Sequence, residues 1–294
     1  MSLLTITPIR SGHLPDRYRL DRLVAIGGMA SVFRATDTRT GGPIAVKIPH
    51  PEKAGGRAVS NRLRYENEIG AKLNHPGVVK VLPSDTASPR YVLMEWIEGR
   101  LLREIMNEQE KLSTERAIRI ALAICDAVEY IHDRGIIHCD LKPDNIMVDD
   151  AGNTKLIDFG IADQARGSLW KRIRPVKLAG TPDYASPEQI KGRRCDARSD
   201  VYSLGIMLFE MLTGEVPFSG LDPQTAMNLR LMVDAPPASE INPEISPRLE
   251  ALLERALVRD AANRYASARE FSSDLSELVV EEIAPQPVES LAGV

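Results

Sequence analysis

The sequence feature that most constrains this chain is the segment Ile136–Met147. Within it, Asp140, Lys142 and Asn145 lie close together in a stretch without a helical pattern. Aspartate can accept a hydroxyl proton there, lysine can neutralise a transferring phosphoryl group, and asparagine can offer its oxygen to Mg²⁺. An aspartate in a loop more often caps a turn, so this loop has to be weighed together with other parts of the sequence.

Asp158 supplies a second oxygen ligand. It ends an apolar run and is followed directly by Phe159 and Gly160. Read alone, Asp158 also fits a helix cap. Together with Asn145, however, it makes a hard, all-oxygen set of the kind that Mg²⁺ prefers.

Two adjacent glycines, Gly27 and Gly28, lie between β-like runs. Glycine lets the backbone approach a bulky anion closely and point its N–H groups at it. A plain hairpin turn gives the same pattern, and this motif on its own favours the turn.

Lys47 lies inside Pro43–Ile48, a run with the pattern of a buried strand, where an unpaired ammonium is costly. An edge-strand lysine that reaches solvent is the simpler alternative. The helix-like stretch Asn61–Leu73 supplies Glu66 as a counter-ion, whereas Glu68 would lie on a different helix face.

The composition of the chain shifts once, near residue 98. Strand-like runs dominate before it and helical periodicity after it, which predicts a small β-rich lobe joined to a larger helical lobe, with a ligand cleft between them. The predicted strands are Tyr18–Ile26, Ser31–Thr36, Ile44–Ile48 and Tyr91–Glu95, and the predicted helices are Asn61–Leu73, Thr114–His132, Ala197–Leu212, Pro247–Val258 and Ala268–Val280.

In order and spacing, these segments resemble the Hanks-type protein kinase family, and its bacterial members most of all. The resemblance covers about Tyr18–Leu278. The signature of the family consists of a glycine-rich loop, a strand lysine, a catalytic loop and Asp-Phe-Gly, and the last three are nearly complete here. The stretch Ala179–Glu188 is similar to the end of a Ser/Thr kinase activation segment, and Asp200–Gly205 and Arg259–Arg264 resemble later landmarks.

The resemblance implies an α+β, two-lobed protein kinase fold, with a small β-rich N-lobe that contains one helix and a larger, mainly helical C-lobe. The kinase domain is expected at 17–280, with the N-lobe at about 17–97 and the C-lobe at about 98–280. Residues 1–16 are expected to form an N-terminal tail, and 281–294 a flexible, proline-containing tail.

The resemblance also implies an ATP-dependent serine/threonine protein kinase that uses Mg²⁺, with Mn²⁺ as the alternative ion. A pseudokinase that acts as a scaffold or nucleotide sensor is one rival, since fold alone does not prove activity. It predicts the loss of residues such as Lys47, Asp140 or Asp158, all of which are present. A small-molecule phosphotransferase of kinase-like fold is another rival, but it should lack the segment around Thr181–Tyr184.

By the same resemblance, Lys47 holds the α- and β-phosphates and pairs with Glu66, and Met94 is the gatekeeper. The Glu95 carbonyl and the Ile97 N–H read the adenine edge. The residues expected to bind ATP are Val24, Ala25, Ile26, Gly27, Gly28, Met29, Ala30, Ser31, Val32, Ala45, Lys47, Glu66, Met94, Glu95, Ile97 and Met147, of which Val32, Ala45 and Met147 enclose the adenine.

The resemblance assigns Asp140 as the catalytic base, with Lys142 beside the transferred phosphate. Asn145 and Asp158 are the expected metal ligands. The residues expected to belong to the activation segment or to brace it are Ser168, Thr181, Glu188 and Arg264, of which Glu188 pairs with Arg264.

Two departures from the family pattern are visible. Ala25 and Ala30 stand where the loop usually has glycine, and Cys139 stands where an arginine usually precedes the catalytic aspartate. We expect Cys139 to be a small buried thiol that packs, rather than a redox switch. Ser168 is the only hydroxyl residue between Asp158 and Thr181.

Composition bears on partners and location. Lys and Arg total 37 against 41 Asp and Glu, and a net charge of −4 offers no general attraction to nucleic acid. The three cysteines form neither a disulfide framework nor a zinc pattern, and no apolar run is long enough to span a membrane, so a cytoplasmic protein is expected. The expected partners are ATP and protein substrates that carry Ser or Thr, with a dimer as one arrangement for autophosphorylation.

Overall fold

The structure, a computed structural model, describes residues 14–28, 30–50, 57–84, 91–159, 163–164 and 182–280. The chain divides into two compact units. The first runs to Glu98 and includes Ile157–Ile161, which is described as far as Phe159; the second comprises Gly99–Leu156 and the chain from Ala162 onward. The predicted tail 281–294 lies outside the described residues, as do residues 1–13 of the predicted N-terminal tail.

A four-stranded antiparallel sheet in the order β1-β2-β3-β4 forms most of the first unit. The strands are β1 (Tyr18–Ile26), β2 (Ala30–Asp37), β3 (Pro43–Pro49) and β4 (Val92–Glu95), and helix α1 (Arg57–Gly70) lies between β3 and β4 in the chain. Along β2, every second residue is buried, because successive side chains of a strand point to opposite faces.

The two faces of this sheet carry different side chains. One face is covered by a buried core made of Tyr18, Ala35, Ile44, Val46, Tyr91 and Leu93. On the other face, Val32 pairs with Lys47, and Ala45 pairs with Met94. Directly opposed residues of neighbouring strands share a face, as do residues two apart on one strand, so these four side chains lie together.

Helices build most of the second unit: α2 (Leu102–Glu108), α3 (Thr114–His132), α4 (Pro187–Ile190), α5 (Ala197–Thr213), α6 (Pro223–Met232), α7 (Pro247–Leu257) and α8 (Ala268–Leu278). Two small sheets complete it, one of β5 (Arg100–Leu101), β7 (Ile146–Val148) and β8 (Thr154–Leu156), the other of β6 (Ile136–Ile137) and β9 (Asp163–Gln164). Every residue from Ser199 to Leu212 is buried, and α5 packs against α3, α7 and α8. Helix α5 is therefore the centre of this unit.

The β-rich first unit and the helical second unit confirm the predicted α+β class, and Tyr18–Ile26 and Thr114–His132 have the predicted bounds. The helix predicted at Asn61–Leu73 is displaced to Arg57–Gly70. The apolar periodicity of the sequence places the end of this helix too late. Leu73 fits the pattern because it is buried, but it lies in the turn after the helix. Among the described residues, no helix combines the length and apolar character needed to cross a bilayer.

Gly214 ends α5 and sets up a test of how this helix is terminated. Its φ is +87°, and a Cβ there would lie 2.1 Å from the carbonyl oxygen of Glu110. We expect Gly214→Ala to lower the free energy of unfolding by about 3 kcal/mol, since backbone strain and a clash with backbone act together. Urea unfolding followed by circular dichroism measures this loss.

Gly152→Ala is the matched control. Gly152 has nearly the same φ, +85°, but a Cβ there would meet no described residue within 4 Å. It should lose only about 1 kcal/mol, the strain of the left-handed conformation alone. Equal losses in the two variants would contradict the role of the close approach to Glu110.

Candidate active site

Lys47 forms ion pairs with two carboxylates of the first unit. Strand β3 carries Lys47, α1 carries Glu66, and the segment after β8 carries Asp158. The Nζ atom of Lys47 lies 2.7 Å and 3.0 Å from the two carboxylate oxygens of Glu66, and 3.0 Å from Asp158 Oδ1. The predicted Lys47–Glu66 pair is present, and Asp158 is an additional partner that the sequence pattern did not indicate.

Burial and opposite charge compete at this cluster. The Glu66 side chain is 4% exposed and that of Lys47 16%, whereas Asp158 is 33% exposed. Burial disfavours the charged ammonium, but Asp158 and Glu66 outweigh it, and the pKa of Lys47 lies above its ordinary value. These three ionised groups carry a net charge of −1, and the most accessible oxygens belong to Asp158, so the cluster favours a further cation at that residue.

Gly27 and Gly28 belong to the turn between β1 and β2. The N–H of Gly27 donates to the Ala30 carbonyl at 2.8 Å, which closes the turn. Among the described residues, nothing lies within 4 Å of the position that a Cβ on Gly28 would occupy, which leaves space beside the turn. Among the other predicted loop residues, the exposed ones are Val24, Ala25 and Ile26, and the buried one is Ser31. Met29 lies outside the described residues.

The residues predicted to enclose the adenine, together with the predicted gatekeeper Met94, divide between the two units. Val32, Ala45 and Met94 share the sheet face of Lys47, so the first unit brings these four side chains together. Ala45 and Met94 are buried, and Val32 is half-buried. Met147 lies on β7 in the second unit.

The predicted adenine-reading segment begins at Glu95, the last residue of β4. The N–H of Glu95 donates to the Lys80 carbonyl at 2.9 Å, and Glu95 Oε1 accepts from the Lys80 N–H at 3.0 Å. Ile97 is half-buried. Both bonds tie the end of β4 to the chain that precedes it.

Asp200 anchors the backbone of the loop that holds Asp140. It lies on α5 with its side chain 0% exposed, and it accepts hydrogen bonds from the N–H groups of His138 and Cys139, each at 2.8 Å. His132 Nε2, 2.8 Å from Asp200 Oδ2, is a third donor because a carboxylate only accepts. Burial alone would raise the pKa of Asp200, but the bonds and charges of these partners outweigh it, and the pKa is lowered.

Asp140, Lys142 and Asn145 converge within this loop. The Nζ atom of Lys142 lies 3.1 Å and 3.2 Å from the two carboxylate oxygens of Asp140. Asn145 Nδ2 donates to the Asp140 carbonyl at 2.8 Å. Asn145 Oδ1 therefore points elsewhere, and it accepts no hydrogen bond from the part of the chain that the structure describes. The second unit thus brings together a carboxylate, an ammonium and an amide oxygen.

Cys139 has a left-handed backbone, with φ +64°. Its N–H donates to Asp200, and its carbonyl accepts from Gln189 Nε2 at 2.8 Å. The thiol is half-buried rather than buried as expected, and its Sγ lies 3.6 Å from the Ile137 carbonyl. The loop uses the backbone of Cys139 on both sides, which explains how the strained conformation is held.

Glu188 and Arg264 form the predicted pair. The guanidinium donates to the two carboxylate oxygens of Glu188 at 2.9 Å and 3.0 Å, in a bidentate arrangement. Its remaining N–H groups donate to the carbonyls of Val258, Arg198 and Arg259. Arg264 is fully buried and keeps every donor satisfied, so α4 is held to the chain after α7.

A second network in this unit was missed by the sequence reading. Arg103 on α2 donates to Glu210 Oε1 at 2.7 Å, and the hydroxyl of Tyr184 donates to Glu210 Oε2 at 2.5 Å and also contacts Arg103. The one available signal was an acidic residue inside the otherwise apolar run Leu204–Leu212. A carboxylate at such a position needs partners, but nothing local tells which.

Two predicted activation-segment residues, Ser168 and Thr181, lie outside the described residues.

Comparison with known proteins places these features in a family. The family described as "Protein kinase domain" matches residues 18–275. A probable serine/threonine-protein kinase of Streptomyces coelicolor is 39% identical over 268 residues, covering 90% of this chain and 40% of the relative. The serine/threonine-protein kinase PknB of Mycolicibacterium smegmatis is 38% identical over 268 residues, covering 90% of this chain and 43% of the relative.

A solved structure is similar as well. The crystal structure of the PknI kinase domain of Mycobacterium tuberculosis matches with a TM-score of 0.70 and 25% identity, covering 89% of this chain and 96% of that one. This chain spans about two fifths of the length of the curated relatives that it matches.

Asp200→Asn tests the buried anchor of the loop. The amide keeps one acceptor oxygen and turns its NH₂ group towards an N–H donor, so one buried donor is left without a partner. We expect a loss of about 3 kcal/mol in unfolding free energy. Chemical denaturation measures it, and hydrogen exchange at His138 and Cys139 should accelerate.

Asp222→Asn is the matched control. Asp222 caps the exposed start of α6 by accepting from the N–H groups of Gln224 and Thr225. Asparagine caps a helix about as well as aspartate, so the loss should stay below about 0.5 kcal/mol. A similarly small loss for Asp200→Asn would show that the buried carboxylate is not an anchor.

Proposed function

This chain belongs to the protein kinase family, and we propose that it transfers the γ-phosphoryl group of ATP to serine and threonine hydroxyls of proteins, including a second copy of itself. The convergence of Asp140, Lys142 and Asn145 in one anchored loop carries this proposal. A pseudokinase would have no use for that arrangement together with the Lys47 cluster, so no second function is favoured.

Members of this family use ATP and a divalent metal ion, and we propose Mg²⁺ here, with Mn²⁺ as the alternative. When bound, such an ion would supply neutralisation of the phosphate charge. Asn145 Oδ1 and the partly exposed carboxylate of Asp158 would hold it. Two protein oxygens fit such a site, because Mg²⁺ commonly takes one or two carboxylates together with substrate phosphates and water.

Asp140 would act as the base. Its carboxylate is held by Lys142 within one loop, and the buried Asp200 fixes the backbone on the N-terminal side. The carboxylate would accept the proton of the incoming hydroxyl, and Lys142 would face the charge of the transferring group. Groups that are already in position need no reorganisation when the substrate binds, which lowers the barrier.

Lys47 would hold the α- and β-phosphates. Glu66, which is nearly buried, keeps the ammonium over the sheet face that also carries Val32, Ala45 and Met94. These apolar side chains would contact the adenine ring. The open space at Gly28 would let the backbone of the β1–β2 turn approach the phosphates.

Asp140→Asn is expected to lower the rate of phosphoryl transfer at least about a hundredfold, because asparagine cannot take a proton. ATP binding should change little, since Lys47, Asn145 and Asp158 remain. Labelled ATP, Mg²⁺ and a generic basic protein, with mass spectrometry of both proteins, measure the transfer and identify the hydroxyls. Calorimetry measures ATP affinity.

Asp158→Ala serves as the comparison variant. It should lose the gain in ATP affinity that Mg²⁺ provides, because a proposed metal ligand is missing. Asp140→Asn should keep that gain.

If Asp140→Asn retains more than about a tenth of the wild-type rate, a barrier change below ~1.4 kcal/mol, Asp140 is not the base.

We further propose that activity does not require a phosphate on the activation segment. In relatives with arginine before the catalytic aspartate, that guanidinium helps to capture such a phosphate. Cys139 offers no charge in its place. Against this, the basic residues between Arg166 and Lys177 are candidates for binding a phosphate on Ser168.

Ser168→Ala and a phosphatase-treated sample should therefore both keep most of the wild-type initial rate on an added substrate. Thr181 is left unchanged, because its hydroxyl is expected near the catalytic loop and its loss would disable the enzyme without any phosphate. A loss of about tenfold or more in Ser168→Ala, reversed by Ser168→Asp, would reveal a phosphorylation switch.

A further inference from the structure

Two arginines face each other on the sheet of the first unit. Arg22 and Arg34 are direct cross-strand partners on β1 and β2, and like charges in this arrangement destabilise a hairpin. Arg34 is opposite Ala45, which in turn is opposite Met94. The two arginines therefore continue a row across the same face that carries Lys47, and something must compensate for their repulsion.

The indole of Trp96 and the carboxylate of Asp21 both offset this repulsion. The guanidinium carbons of Arg22 and Arg34 lie 5.7 Å and 5.5 Å from the ring centroid, distances at which a cation is attracted to an aromatic face. Arg34 also donates to Asp21 at 3.1 Å, and the indole N–H donates to Glu98 Oε1 at 2.7 Å. Trp96 is thus held at its ring by two cations and at its nitrogen by a carboxylate.

We propose that Trp96, held by Arg22 and Arg34, is a positioning residue for the adenine ring of the nucleotide. Trp96 lies between Glu95 and Ile97, whose backbone carbonyl and N–H are expected, from the family resemblance, to read the adenine edge. Fixing the indole on the sheet fixes the direction of the backbone on both sides of it. This inference rests on the proposed function.

The consequence is a split between binding and turnover. A backbone that already points correctly loses less conformational freedom when the nucleotide binds, so the arrangement lowers the KM for ATP. Among the described residues, the ring and nitrogen of Trp96 contact Arg22, Arg34 and Glu98, and neither Lys47 nor Asp158, so kcat should be insensitive to it. A residue that served folding alone would lower stability without this selectivity.

The kinetic test compares variants of the cluster. Trp96→Ala should raise the KM for ATP about tenfold and leave kcat within about twofold, whereas Trp96→Phe keeps an aromatic face and should stay within about threefold in KM. Arg22→Met should raise KM less, and should add little when combined with Trp96→Ala, because the two residues act together. Arg19→Met is the matched control, since Arg19 lies on the same strand but contacts Asp21 and not the indole.

Fluorescence gives a second readout. Trp170 is the only other tryptophan, so in a Trp170→Phe variant the emission reports Trp96 alone. Mg²⁺ with ATP should shift that emission with the affinity that calorimetry gives, and Mg²⁺ with tripolyphosphate, which lacks adenine, should not. A shift with Mg²⁺ and ATP but not with Mg²⁺ and tripolyphosphate supports the inference. No shift with Mg²⁺ and ATP, or the same shift with both ligands, contradicts it.

The outcomes separate the two proposals. If the wild type fails to bind ATP in calorimetry, the proposed function and this inference both fall. If the wild type binds ATP and Trp96→Ala has the same KM, only the positioning role is overturned. A Trp96→Ala variant that loses kcat and thermal stability with KM unchanged overturns it in the same way.

Discussion

The buried carboxylate of Asp200 accepts the hydrogen bonds that fix the loop of the candidate catalytic residues in the second unit. An ionised group without exposure to solvent is tolerated only when its oxygens are hydrogen-bonded, and here three donors meet it. Two of these donors are consecutive backbone N–H groups of the loop that carries Asp140. Because α5 is buried along almost its whole length, the position of Asp200 is set by core packing. The packed core therefore also fixes the position of the loop, through the hydrogen bonds to Asp200.

The buried pair of Arg264 and Glu188 is likewise tolerated because its charged groups are hydrogen-bonded. A buried guanidinium is costly unless all its N–H groups find acceptors, and Arg264 satisfies them with one carboxylate and three carbonyls. Removal of either partner would leave a charge buried without compensation. This pair therefore fixes the start of α4, next to the end of the predicted activation segment.

Ion pairs also hold the charged side chains of both candidate centres in place. In the first unit, Lys47 is held by Glu66 and Asp158, and in the second, Asp140 is held by Lys142. Each pair keeps its side chains in one arrangement before any ligand arrives, which is the condition for electrostatic preorganisation. The left-handed backbone of Cys139 is held in place in a similar way, because its N–H donates to Asp200 and its carbonyl accepts from Gln189.

Local order in the sequence determined a large part of this protein. Periodicity predicts Thr114–His132 and Tyr18–Ile26 with their observed bounds, and the short spacing of Asp140, Lys142 and Asn145 places them in one loop, because few bonds separate them. Apart from the Lys47–Glu66 and Glu188–Arg264 pairs, which the family resemblance predicted, only the tertiary structure decided which distant groups meet. Asp200 reaches His138 across 62 residues, and Asp158 reaches Lys47 across 111. With 41 acidic residues in the chain, pattern alone cannot select these carboxylates, because their partners are chosen by how helices and strands pack and not by any local property of the residues themselves.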